Sequence, residues 1–96
     1  MSFNFNNNES DIIELWVEEK GRRTDTYIHG WNIDNDLLKN HLKNIKKKKG
    51  CNGSIKELVK ETGVIKVMHL QGNVKNFVFS YLVENGIDSE KIIIKI

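Results

Sequence analysis

One stripe constrains this chain more than any other feature. Val74, Phe77, Val78, Tyr81 and Leu82 stand at i, i+3, i+4, i+7 and i+8, the spacing that lines one side of an α-helix with apolar side chains. Asn73 precedes the stripe, where a side-chain oxygen can accept from free helix amides, and Gly86 follows it at a position suited to a helix stop. A helix with one apolar side needs a layer to cover. A chain of 96 residues has room for a single modest core, so the remaining segments must supply that layer.

They read as strands and one further helix. Apolar-rich runs over residues 12–17 and 24–29 flank "EEKGRR". Gly21 can take the positive φ that a tight loop requires, which predicts an antiparallel hairpin with a basic tip. In "WNIDND", Asp34, Asn35 or Asp36 can cap a helix. Leu38, Leu42 and Ile45 then recur at four and three residues, with Lys39, Lys43, Lys46 and Lys47 turned away from them. Lysines in the last turn suit the negative end of the helix dipole, and Gly50 suits the stop. Two more strands are expected over residues 54–59 and 64–70, with a turn at Glu61, Thr62 and Gly63. The closing "KIIIKI" reads as a short strand, apolar on both faces and therefore expected in the centre of the sheet. The order ββαββαβ defines an α+β two-layer sandwich with both helices packed on one face of an open sheet. "MSFNFNNNES" is polar and Asn-rich, so residues 1–11 are expected to form a short flexible tail and 12–96 the domain.

Charge is distributed unevenly along these elements. Glu9, Asp11, Glu14, Glu18 and Glu19 give residues 1–19 a charge of −5 with no basic partner. Residues 20–75 carry eleven Lys and two Arg against Asp25, Asp34, Asp36, Glu57 and Glu61, for +8, and the remainder carries −1. The heavy use of Lys, Asn and Ile and the absence of Pro fit an AT-rich genome. Such a bias inflates lysine everywhere, but it does not concentrate lysine in the middle of a chain. A basic centre favours a polyanionic partner.

Bond chemistry has little support. His29, His41 and His69 show no metal-ligand spacing, and Cys51 has no CxxC partner. "HLQGN" lacks the context of a phosphate loop. Trp16 stands alone on its strand, and no aromatic RNA-binding strand is visible. The chain is expected to be no enzyme and to use no cofactor and no metal. No apolar run approaches the ~20 residues of a membrane span, and a lone cysteine suits a reduced setting, the cytosol or the nucleus, of which the cytoplasm is the expected one. The basic residues remain, in two clusters: Lys20, Arg22 and Arg23 around Gly21, and Lys39, Lys43, Lys46 and Lys47 on the outer side of the first helix. Each alone is ordinary solvated surface. Together they suit phosphates, because an arginine pair on a projecting loop has no helix-dipole explanation.

Three stretches, "KGRRTDTYIHG" (20–30), "LLKNHLKNIKKKKGCNGSI" (37–55) and "HLQGNVKNFVFSYLVENGI" (69–87), resemble in order and spacing the eukaryotic translation initiation factor 1 family. The family pattern is a Gly-Arg-Lys hairpin, a lysine-rich helix ending Cys-Asn-Gly-Thr, and Leu-Gln-Gly-Asp before an amphipathic helix. The resemblance implies two helices on one side of a five-stranded mixed sheet. It also implies a monomer that binds small-subunit ribosomal RNA beside the peptidyl-tRNA site, works with initiation factors 3 and 5, promotes scanning and controls start-codon selection. By position, Lys20, Gly21, Arg22 and Arg23 form the RNA-facing loop, and Lys39, Lys43, Lys46 and Lys47 the RNA-facing helix side. Lys60, Glu61 and Thr62 form a turn toward initiator tRNA. Cys51, Asn52, Gly53, Gln71 and Gly72 are assigned to fold geometry. Asn73 and Val74 replace the family's Asp-Gln, and Lys95-Ile96 stand where members have His-Gly-Phe. A protist or a large DNA virus fits the composition as a source. The competing reading is a general RNA-binding or ribosome-associated adaptor that keeps the fold without the scanning role.

Overall fold

The computed structural model describes residues 12–95, and the expected tail at residues 1–11 lies outside the described residues. The elements are β1 (Ile13–Lys20), β2 (Arg23–His29), α1 (Asn35–Lys49), β3 (Gly53–Lys60), β4 (Gly63–Gln71), α2 (Lys75–Glu84), one 3₁₀ turn (Ser89–Lys91) and β5 (Ile92–Ile94). The strands form one five-stranded sheet in the order β3-β4-β2-β1-β5. Every pairing is antiparallel except that of β5 with β1, which makes the sheet mixed.

Strand alternation decides what each face of the sheet does. The register places Leu15, Ile28, Met68 and Ile55 in one row across β1, β2, β4 and β3. Leu38, Leu42 and Ile45 of α1 and Val78, Tyr81 and Leu82 of α2 pack into the same cluster as that row. Both helices therefore cover one face, as their stripes predict. Leu15, Ile45, Leu70, Val78 and Leu82 are completely buried, each such side chain contributing about 1.5–3 kcal/mol relative to exposure. The other face carries no helix among the described residues.

The helix ends follow local chemistry. Gly50 takes φ 62° and returns its N–H to the Lys46 carbonyl, which stops α1. At the end of α2 the Ile87 and Gly86 amides donate to the Leu82 and Val83 carbonyls, at 3.0 and 3.1 Å, the paired bonds of a Schellman motif. The start of α2 differs from expectation by one residue. Val74 is the cap residue, and the Asn73 side chain accepts only a long 3.4 Å bond from Lys75 N–H. The Val74 amide donates instead to the buried Thr26 hydroxyl at 3.1 Å, so a tertiary contact replaces the local cap.

The last strand corrects the sequence reading. β5 lies at the margin of the sheet beside β1, and only Ile92 is buried; Ile93 and Ile94 are 48% and 39% exposed. The inner side of β1 is already held by β2, so a strand arriving after α2 can join only at the outer edge. An apolar run of three residues fits a short edge strand as well as a central one.

Candidate nucleic-acid interface

The hairpin tip is a two-residue turn. Lys20 and Arg23 are the last paired residues, and Gly21, at φ 65°, and Arg22 form the turn. The pairing of Asp25 with Gln71 and of Gly53 with Leu70 puts this tip at the end of the sheet where β4 finishes and β3 begins. The end of α1 leads into that same end through Cys51 and Asn52. The hairpin cluster and the lysine-rich end of α1, separated in sequence, thus share one end of the molecule. Lys46 and Lys47 lie at this end. Lys43 and Lys39 continue back along α1, Lys39 about 12 Å from Lys47 at 1.5 Å per residue.

Hydrogen bonds tie the segments of this end together. Gln71 N–H donates to the Asn52 carbonyl at 2.8 Å, and Gly72 N–H to the Thr24 carbonyl at 2.7 Å. The Thr26 hydroxyl donates to the Gly72 carbonyl at 2.7 Å while accepting from Val74. Cys51 is half-buried against the core, and its N–H bonds the Lys46 carbonyl. Gly53 sits so close to β4 that a Cβ there would lie 2.5 Å from the His69 carbonyl oxygen.

The cations of this end are not equivalent. Lys20 pairs with Glu18 at 3.6 Å, and Arg23 Nε lies 3.4 Å from the carboxylate of Asp25. Arg22 is exposed with no ionic partner among the described residues. Lys48 leans over the Tyr81 ring at 6.0 Å and Lys49 over Phe77 at 5.4 Å, which commits both to the α2 side. Lys39, Lys43 and Lys47 are exposed, Lys46 half-exposed. The expected helix side is therefore the part of the lysine run that no aromatic ring takes up.

Lys60, Glu61 and Thr62 do not join this surface. They form the β3–β4 turn at the far end of β3, about 23 Å along the strand from Gly53 at 3.3 Å per residue. The hairpin curls toward the helix-free face, so that Lys60 Nζ stands 6.0 Å from the Trp16 ring. An open groove of about 430 Å³ runs there between the turn and Glu14, Trp16, His29 and Lys95.

Sequence reasoning missed what the register assembles on that face. Trp16 is not alone: it stacks on Tyr27 at 5.5 Å, and Tyr27 lies 5.1 Å from His69, one row across β1, β2 and β4. Beside this row His69 Nε2 bonds Asp25 Oδ1 at 2.8 Å, with Asp25 fully buried. The His69 ring hydrogen bond, helped by Arg23, holds the Asp25 carboxyl below its ordinary value despite burial. Glu14 is likewise lowered, first by its bond to His29 and also by Lys95. His41 packs beside Trp31, 2.7 Å from the Tyr81 hydroxyl, and burial lowers its pKa. The three histidines thus have separate partners, and among the described residues no group of His, Cys, Asp and Glu is placed to hold a metal ion.

The cations of two segments distant in sequence thus gather at one end of a two-layer domain. Its sequence matches the family model of translation initiation factor SUI1 over residues 9–88. The chain belongs to that family, and with it to the translation initiation machinery that works on the ribosome. No individual curated protein matches it.

Proposed function

We propose that this protein binds the small ribosomal subunit near the peptidyl-tRNA site, promotes scanning and controls start-codon selection. The observation that carries the reading is the convergence of the hairpin tip and the α1 lysines on one end of the fold. Arg22, Arg23, Lys39, Lys43, Lys46 and Lys47 meet ribosomal RNA phosphates, and the Lys60–Thr62 turn, on a different part of the molecule, faces initiator tRNA. There Glu61 opposes full seating of the tRNA until a start codon pairs. No bond is made or broken: occupancy and charge bias an equilibrium between open and closed complexes. Initiation factors 3 and 5 are the partners this role implies, in the cytoplasm.

The test is binding of the labelled protein to purified small and large eukaryotic ribosomal subunits across a salt series. Six phosphate contacts give a fall of about 4–5 decades in affinity per tenfold salt. The double variant Arg22→Glu with Arg23→Glu should abolish small-subunit binding and relax start-codon choice. Weak binding of equal strength to both subunits would refute the initiation role and favour a general RNA-binding adaptor.

A further inference from the structure

On the helix-free face, beside the tip of the β1–β2 hairpin, lies a polar cleft of about 190 Å³ walled by Arg23, Asn52, Ser54, Lys56, His69 and Gln71. It opens at the same end as the basic surface. Behind its wall lies a costly feature. Asp25 is a fully buried carboxylate, and burying a charge is costly unless it is well paired. Its partners are two residues of the cleft wall: His69 Nε2 at 2.8 Å and Arg23 Nε at 3.4 Å. The carboxylate therefore fixes two groups of the wall from behind.

The pairing also sets what the wall presents. An ionised Asp25 accepts from His69 Nε2–H, which leaves Nδ1 of the neutral ring as an acceptor. His69 is 3% exposed, and Nδ1 has no partner among the described residues. Asn52 and Gln71 are exposed and bring amides that both donate and accept, Ser54 a hydroxyl, and Arg23 and Lys56 positive charge. A phosphate alone calls for donors only. An alternation of donors and acceptors flanked by two cations suits a base edge with its phosphate beside it.

We propose that this cleft receives one unstacked nucleobase of bound RNA, with His69, Asn52 and Gln71 on the base edge and Arg23 and Lys56 on the adjoining phosphate. The assignment rests on the reading of this end of the molecule as RNA-facing. Asp25 acts as a positioning residue that sets the His69 tautomer and the direction of Arg23. The Thr24–Gly72 and Asn52–Gln71 backbone bonds hold the cleft between two strands and the turn into α2, so it is formed before RNA arrives.

The experiment is an NMR titration of the full chain with 5′-AMP, GMP, CMP and UMP, with ribose 5-phosphate as the base-free probe. The side-chain amides of Asn52 and Gln71 and the His69 ring protons are followed. At least one nucleotide should shift all three saturably, while ribose 5-phosphate leaves the amides in place. Asn52→Ala, at an exposed position, should weaken that nucleotide about fivefold, the effect of one neutral hydrogen bond. Identical shifts from ribose 5-phosphate, no nucleotide-induced shift, or an unchanged affinity in Asn52→Ala would each overturn the cleft. Small-subunit binding with no nucleotide response removes the cleft and leaves the proposed function. Nucleotide binding without subunit binding does the reverse.

Discussion

Gly53→Ala tests the packing of the interface end directly. Gly53 opens β3 opposite Leu70, and a Cβ built there lies 2.5 Å from the His69 carbonyl oxygen, 2.8 Å from Leu70 Cδ2 and 3.3 Å from Leu42 Cδ1. The first contact is with backbone and the second with a completely buried side chain, so neither neighbour can swing aside. Either β3 separates from β4 or α1 lifts off the sheet. Overpacking of this kind costs about 1–3 kcal/mol. Gly→Ala also narrows the unfolded ensemble, which offsets about 0.4–1 kcal/mol. The net loss is about 1–2 kcal/mol, or about 5–15 °C in Tm for a domain of this length. Thermal and urea unfolding followed by circular dichroism measure it, with Ser54→Ala at the neighbouring exposed position as the control. A variant as stable as the parent would show that β3 and α1 are not held at this separation. The role of Gly53 in shaping the interface end would then be wrong.

Three further outcomes follow from the buried and half-buried polar groups. In the acid range, Asp25 and Glu14 have folded pKa values below their ordinary ones. The unfolded chain then binds more protons, so stability is full above the ordinary carboxylate range and is lost as pH falls through the lowered values. Unfolding midpoints measured between pH 6 and pH 2 should drop, and Asp25→Asn should flatten the drop; an equally steep drop in the variant would refute the assignment to Asp25. His41 should titrate below the ordinary 6.5 when its ring protons are followed by NMR. Because its neutral form is favoured in the fold, its contribution is kept above the ordinary value and lost as pH falls below it. Removing Thr26 as hydroxyl partner by Thr26→Val strands the Gly72 carbonyl and the Val74 amide, costing about 1–3 kcal/mol by the unpaired buried groups. Denaturant titration reads this loss, and a change under 0.5 kcal/mol (about the scatter of surface substitutions) would contradict it.

What was legible in the sequence was local. The stripes of α1 and α2 and the stops at Gly50 and Gly86 depend on neighbours within a turn or two, and they stand where periodicity puts them. Both hairpins were readable because their turn residues and flanking runs are contiguous. The cap of α2 stands at Val74, whose amide is held by Thr26, distant in sequence, while Asn73 reaches only the Lys75 amide at 3.4 Å. β5 was misplaced because a run of isoleucines records apolarity and not the number of neighbouring strands. The Trp16–Tyr27–His69 row and the Asp25–His69 pair were illegible for one reason: both depend on register. A one-residue slip in either pairing would send one of these side chains to the opposite face.

The distribution of cations shows why counting charges along the chain overstates the surface offered to a partner. Of the lysines that end α1, Lys48 and Lys49 lie against rings of α2, where a cation over an aromatic face contributes about 0.5–1 kcal/mol at an exposed site. Arg23 is shared with Asp25, and Lys20 with Glu18. Arg22, Lys39, Lys43 and Lys47 remain exposed without such ties among the described residues, with Lys46 half-exposed among them. Arg22 projects from a two-residue turn whose Gly21 conformation keeps the tip narrow. Ordering any of these long side chains on a partner costs about 0.5–1.5 kcal/mol, and the planar guanidinium of Arg22 loses less of that freedom per hydrogen bond than a lysine ammonium does. The turn at Lys60 to Thr62 lies a strand length away from this tip. Under the proposed function, anchoring and the opposition to tRNA seating would fall on separate residues, so that a change in one need not alter the other.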